Sequence, residues 1–526
     1  MQLLEQAPAR GSGGGPAREP AAALRERLAA SPLLCWWGIS VALAVLSAIV
    51  WPTVPSYDPW SWVVWGREVT DPHISFFIGG GPSWKPLPFL FTTIYGLLGG
   101  AAPTLWVITA RTGGIAGLIA AYRLAALLCE RAGLPRSWWW LAGVVAAVGI
   151  VLTAPSSGWT YYFFRGTSEP LLIGVWLWAV DRLIAGRHWQ AYMLVAAEGL
   201  MRPEAWPFLA LYGAWLFWKF PSMRVWVVLG LIAQPVGWFG PPWVSTGQPF
   251  LAATHASEYN GHLGPDVLKT VLMRGEGLQP LPSLVLAVVG VVLAVWLGRS
   301  RLPRARAEVL GWFAGDRSEV PLVLALAVAT VAWWVVVVGM TLDGYPGLER
   351  FFLPAAAMTC VLSGYGLARL AALVGSWVPG SARLAVSAVV AVVVLAGSTH
   401  FLSARWAYAK QQEPLAATAV TRIDQLGQAI TALGGRSKVL PCAASVVTIN
   451  HSLQTALAWK LGTTLERVQT VMNKPGIAFV GPHDSIDGGE PPIAYTFSKR
   501  ILARVGAWSL QEVWPVGTTP GRCVGT

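Results

Sequence analysis

Apolar stretches long enough to cross a bilayer recur from Leu34 to about Gly397, separated by short polar segments. A helix needs roughly 17–25 mostly apolar residues for this, because lipid offers no partner to an open backbone N–H or C=O. The pattern predicts about eleven spans, at 34–52, 104–128, 138–154, 170–184, 190–201, 204–218, 224–240, 281–298, 320–340, 352–372 and 383–399. The fifth and sixth are short and meet at "LMRPEAW", which reads as a hairpin reaching only one leaflet. From His400 the pattern changes. Strand-like runs ("KVLPCAASVVTI", "GIAFVG", "PIAYTF"), an amphipathic helical stretch near 451–461 and several Gly/Pro turns predict a small soluble α/β domain over 401–526. The first 31 residues are rich in Gly, Pro and Ala and carry Arg10, Arg18, Arg25 and Arg27. They read as a disordered tail rather than a signal peptide, since no small-residue cleavage site follows a short apolar core.

Composition agrees with the pattern. Of 526 residues 54% are hydrophobic and only 12% charged, usage far from that of a soluble globular chain. The formal charge of +12 invites a nucleic-acid reading, and its distribution rejects it. Lys and Arg cluster at Arg131 and Arg136, at Arg182 and Arg187, at Lys219 and Arg224, at Arg299 to Arg306, and at Arg369 and Arg383, which is every second loop. That is the positive-inside pattern. It predicts a multi-pass protein of the inner (plasma) membrane with a cytoplasmic amino terminus and an extracytoplasmic C-terminal domain. Of five cysteines, Cys442 and Cys523 both fall in that exported domain, where a disulfide is expected; two unpaired thiols remain the alternative. No Walker loop, HExxH, CxxC or solenoid repeat occurs, so ATP-driven transport and zinc chemistry lack their usual signatures.

The outer segments hold the candidate chemistry. In "VPSYDPWSWVVWGREV", Asp58 directly follows the first span and precedes Pro59, the cap-and-first-turn pairing of a helix that would lie along the interface. Lys85, Arg165, Arg202 and Arg350 break the charge bias on the same side. Guanidinium forks and an ammonium suit a lipid-linked phosphate, and Tyr57, Trp60, Trp84 and Trp159 offer faces on which a sugar can stack. The plainer reading of each cation is snorkelling, or pairing with Glu169, Glu204 or Glu349. For a divalent cation, Asp58, Glu68, Asp71 and His73 could supply ligands, as could His255, Glu258, His262 and Asp266 in "THASEYNGHLGPD"; both sets read first as solvated loops, and the metal is left open. The second loop also reads as a cover over an acceptor.

These features in order resemble the GT-C superfamily: a first helix ending at an acidic residue, a large outer loop with juxtamembrane helices, "KPLPFLF", an Arg at the head of the next helix (Arg111), a basic inner loop, the "RPE" turn and "RFFLP". More narrowly the chain is similar, over about 34–400, to protein O-mannosyltransferases, lipid A aminoarabinose transferases and their actinobacterial relatives. The resemblance implies a GT-C-like polytopic α-helical membrane fold and transfer of a sugar from a polyprenyl-phosphate donor, with inversion, to an envelope glycan, lipid or protein. It makes Asp58 the general base and Glu169 the assisting acid residue. The paired acidic motif of many members is missing, so Glu68 and Asp71 stay open as alternative placements of the base. The Gly- and Trp-rich composition and the excess of Arg over Lys point to a high-GC bacterium, and by analogy to decaprenyl-phosphate mannose or arabinose. Two other classes compete. A lipid-substrate transporter or flippase would show internal symmetry and charges deep in its spans; a non-catalytic envelope-assembly scaffold would show neither.

Overall fold

The computed structural model describes residues 32–154, 157–258, 266–298, 319–380, 382–484, 486–493 and 496–521; the expected tail 1–31, His262 and Cys523 lie outside the described residues. Helix α1 (Pro32–Val50) leads into two short helices, α2 (Tyr57–Thr70) and α3 (Pro86–Gly96). Then come α4 (Ala102–Arg131), α5 (Arg136–Val151), the short α6 (Trp159–Phe164), α7 (Glu169–Ile184), α8 (His188–Gly199), α9 (Trp206–Lys219) and α10 (Arg224–Thr246). Helices α11 (Leu251–Glu258), α12 (Val267–Leu278), α13 (Leu281–Gly298), α14 (Glu319–Leu342), α15 (Leu353–Ser376) and α16 (Ala382–Ala432) complete the bundle. The C-terminal unit adds α17 (Arg436–Val439) and α18 (Gln454–Leu461) around strands β1 (Val446–Ile449), β2 (Val468–Gln469), β3 (Gly476–Val480), β4 (Phe497–Val505) and β5 (Trp508–Pro515).

Among the described residues seven helical stretches are long and apolar enough to cross a membrane, against the eleven expected. The other four expected spans are α5, α7, α8 and α9, of 16, 16, 12 and 14 residues. At about 1.5 Å per residue each falls short of the roughly 30 Å hydrocarbon core. The centre of the bundle is α15, whose apolar stretch is wholly buried. Small residues allow that. A Cβ on Gly364 would strike the carbonyl of Ala142 in α5, and one on Gly366 the carbonyl of Leu286 in α13. Gly113 of α4 and Gly174 of α7 meet in the same way. In lipid, where apolar side chains gain little by leaving their solvent, such close backbone approach is how helices associate.

The expected domain boundary at residue 400 falls inside α16, which runs unbroken for 51 residues from the bundle into the C-terminal unit. Residues 401–432 are rich in Ala, Gln and Leu, good helix formers that carry the helix on once the apolar run has ended. The sheet is mixed, in the order β2-β1-β3-β5-β4, with β1 parallel to β2 and β3, and β5 antiparallel to β3 and β4. Cys442, just before β1, is disulfide-bonded.

The C-terminal unit is seated on α2. Arg67 donates from Nη1 to the carbonyl of Trp459 (3.1 Å) and from Nη2 to that of Thr463 (2.8 Å). Thr455 donates to the carbonyl of Tyr57 (2.9 Å), and the Tyr57 hydroxyl donates to Gln454 Oε1 (3.0 Å). The residue next to Asp58 is thereby tied to a domain nearly 400 positions later in the chain.

Candidate active site

Asp58 lies in the first turn of α2. It is not the cap expected from sequence: Ser56 holds that position and the helix starts at Tyr57. Pro59 still falls within the first turn, where its missing N–H costs nothing because those amides have no helical acceptor. The entry to α2 is pinned from outside. The Ser56 N–H donates to the carbonyl of Arg165 (3.0 Å) and the Thr53 hydroxyl to that of Phe164 (2.6 Å).

Four further charged residues stand where helices begin. Lys85 precedes α3, Glu169 opens α7, Arg202 precedes the short turn Pro203–Ala205 that leads into α9, and Arg350 lies in the turn Glu349–Phe352 that leads into α15. Unpaired amides and the positive end of the helix dipole gather at such ends, so their convergence makes a region receptive to anions. Glu169 is the resident anion. Its Oε1 accepts from Arg202 Nη2 (2.5 Å) and Lys85 Nζ (3.3 Å) and lies 4.0 Å from Arg350 Nη1. The same Arg350 nitrogen reaches Asp58 Oδ2 at 3.2 Å. Lys85 also donates to the Ser168 hydroxyl (2.6 Å), and burial, with the Arg202 charge beside it, pulls its pKa down to about 7.

In front of this cluster opens a cavity of about 290 Å³. Its wall includes Asp58, Arg350, Tyr57, Ser452, Arg165 and Gln412. Arg165 is held by Gln412 Oε1 (2.7 Å) and lies over the Tyr161 ring (3.7 Å). Arg350 Nε, Arg202 Nε and Glu169 Oε2 have no hydrogen-bond partner among the described residues, so the cluster keeps unused capacity toward a bound group. Buried polar atoms in that state are costly unless a ligand or water completes them.

The structure thus brings Asp58, Arg165, Arg350 and Tyr57 to one cavity, and sets Lys85, Arg202 and Glu169 behind its wall, each 1–4% exposed. Lys85 and Arg202 engage Glu169, whose carboxylate lies beside Arg350. The three expected tryptophan platforms do not line the cavity. Trp60 packs against Trp459, Trp84 lies between Trp65 and Phe89 with its N–H on the Gly237 carbonyl, and Trp159 stacks on Phe163. Their large apolar faces are worth more in the core than at a wet wall.

Glu68 and Asp71 stand apart from Asp58. Glu68 is buried and accepts from the Phe77 N–H (3.0 Å), with burial raising its pKa to about 8. Asp71 is paired at the surface with His73 (3.1 Å). Glu258 and Asp266 are exposed and His255 is partly so. Among the described residues no three acidic, His or Cys side chains form a metal-binding group; His262 of the second expected set lies outside them. Sequence reasoning missed Gln412, Tyr161 and Ser452 altogether. A usable signal was present for the charged set, since Asp58, Lys85, Glu169 and Arg202 are each followed by proline. Glu19, Asp71, Glu413, Lys474 and Glu490 share that feature, so it does not select the site by itself.

No protein-family model matches the chain, and no curated protein does so either. Among solved structures it is similar to ArnT from Cupriavidus metallidurans bound to undecaprenyl phosphate, at 14% identity and a TM-score of 0.49, covering 91% of this chain and 98% of that one. The apo state of the same protein gives 15%, 0.48, 93% and 98%. An Archaeoglobus fulgidus oligosaccharyltransferase tethered to an acceptor peptide gives 14%, 0.43, 82% and 63%.

Proposed function

We propose that the chain is a membrane glycosyltransferase of GT-C type that moves a sugar from a polyprenyl-phosphate donor to a hydroxyl group at the outer face of the membrane, with inversion and with Asp58 as general base. The observation that carries this reading is the Asp58–Arg350 pair at 3.2 Å on the wall of a cavity that reaches the helix-start cluster. A carboxylate able to take a proton and a guanidinium able to take a phosphate stand side by side.

Donor phosphate entering against Arg350 competes with Asp58 for the same nitrogen, and its arrival frees the carboxylate. Asp58 then accepts the proton of the acceptor hydroxyl as that oxygen attacks the anomeric carbon. The bond from that carbon to the phosphate oxygen breaks on the opposite side, and its electron pair leaves with the phosphate, whose new charge Arg350 stabilises. A phosphate leaves as a stable anion, so the step needs no acid of the kind a glycosidase supplies. Lys85 and Arg202 hold Glu169, and Glu169 orients Arg350. Mannose or arabinose is the proposed sugar, and an envelope glycan, lipid or protein the acceptor; the composition-based analogy supports the former. The test is to incubate membranes holding the protein with radiolabelled polyprenyl-phosphate mannose and polyprenyl-phosphate arabinose. Label moving from donor to acceptor is expected with one of them, and movement with neither, in membranes whose protein binds both donors, would transfer the case to a carrier.

A further inference from the structure

A second hollow lies away from the catalytic cavity, on the outside of the bundle. An apolar groove of about 820 Å³ runs between α13 and α14, walled by Val288, Val292, Val331, Trp334, Val335 and Leu342. Along α14 it extends from Ala327 to Leu342, about 22 Å at about 1.5 Å per residue. That exceeds the hydrocarbon depth of one leaflet and falls short of the full core of about 30 Å.

The groove does not end blindly. Gln279 and Leu284 also line an adjoining pocket of about 280 Å³, which contains Glu276, Phe401 and Arg405. Gln279 is 3% exposed, and neither its Oε1 nor its Nε2 has a partner among the described residues. Arg405 donates to the carbonyls of Leu152 (3.4 Å), Gly277 (3.1 Å), Leu278 (3.2 Å) and Gln279 (3.3 Å), so its contacts there are all to uncharged groups. No carboxylate among the described residues pairs with it. Exposed Phe401 and Trp406 flank it, as aromatic side chains do at the headgroup level of a bilayer. A cation, an anion and an uncommitted amide therefore stand in a pocket that adjoins a groove of acyl-chain length.

We propose that this pair of hollows binds one phospholipid with a phosphoethanolamine headgroup. The phosphate sits against Arg405 and the Gln279 amide N–H, the ammonium against Glu276, and an acyl chain fills the groove. Glu276 sets the choice of head. A lipid with phosphate alone, a polyprenyl phosphate included, brings a second negative charge to that carboxylate and no ammonium to meet it. The site rests on its own geometry and stands apart from the chemistry proposed at Asp58.

Native mass spectrometry on the full chain, released from detergent after incubation with equal amounts of phosphatidylethanolamine, phosphatidylglycerol and a polyprenyl phosphate, tests this. Phosphatidylethanolamine is expected to be retained about two- to fivefold over phosphatidylglycerol, the range of one partly exposed ion pair. Glu276→Gln, a change at an exposed position, should bring the two to parity with the Tm unchanged, and Val335→Trp should reduce retention of both. Equal retention by the native protein, a preference unchanged in Glu276→Gln, or displacement of phosphatidylethanolamine by polyprenyl phosphate would overturn the assignment.

Discussion

Replacing Asp58 by Asn separates catalysis from donor binding. Asn keeps the shape of the side chain and can still accept from Arg350, so the 3.2 Å contact survives as a hydrogen bond while the negative charge is lost. Two effects of opposite sign follow. Removing a positioned general base costs about 10²–10⁴ in rate. Releasing Arg350 from an ion pair whose side chains are 23% and 19% exposed returns about 1 kcal/mol to whatever anion takes its place, or about a fivefold gain in donor affinity. The assay is paired: kcat from transfer of radiolabelled sugar, and Kd from binding of the unreactive polyprenyl phosphate to purified protein. The expected variant turns over at least about a hundredfold more slowly, binds polyprenyl phosphate as tightly as the native protein or tighter, and keeps its Tm. A folded variant with kcat within about threefold of native, under 1 kcal/mol of barrier, would refute Asp58 as the base. Weaker binding of the phosphate would refute the competition for Arg350.

Arg202→Met should lower stability by about 3–5 kcal/mol, because it strips a buried carboxylate of its shortest partner, whereas Lys85→Met should cost less, since a lysine pulled down to about 7 carries only part of a charge at neutral pH; denaturant midpoints in a mild detergent compare them, and equal losses would contradict the difference. Glu169→Gln should raise the donor KM while leaving Asp58 in place, as Arg350 loses its second anchor; an unchanged KM would remove Glu169 from the positioning set. Glu68, with a folded pKa raised to about 8 by burial, binds more protons folded than unfolded above the ordinary carboxylate range. Its contribution is therefore full at low pH and lost as pH rises from about 4.5 through 8. Glu68→Gln should flatten the fall of Tm between pH 6 and 9, and a slope identical to native would show that Glu68 does not titrate there.

Hydrophobic periodicity sufficed for the long helices and for the change of material after His400, because a bilayer demands uninterrupted apolar length and leaves that demand visible in one dimension. It does not separate helices set by lipid from short ones held by their neighbours: α8, with 12 residues, packs against α9 and α10. The expected boundary at 401 falls within one continuous helix, since helix continuity depends on local propensity and ignores where lipid ends. Arg165 and Arg350 were legible as cations that break the charge pattern, and Asp58 as a carboxylate directly after the first span. Their grouping was not.

Which of the charged residues face open space and which face each other depends on where five helix starts meet, and those starts come from positions as far apart as Asp58 and Arg350. No periodicity records that distance. The same holds for Trp60, Trp84 and Trp159, whose sequence context suits a sugar platform and whose burial is decided by Trp459, Trp65, Phe89 and Phe163 around them. Sequence alone determined the class of solvent each segment must meet, because transfer free energy belongs to the residues themselves. Only the tertiary structure decided which charges pair and which remain free, because Coulomb interactions and hydrogen bonds depend on separations of a few ångströms that the chain order does not contain.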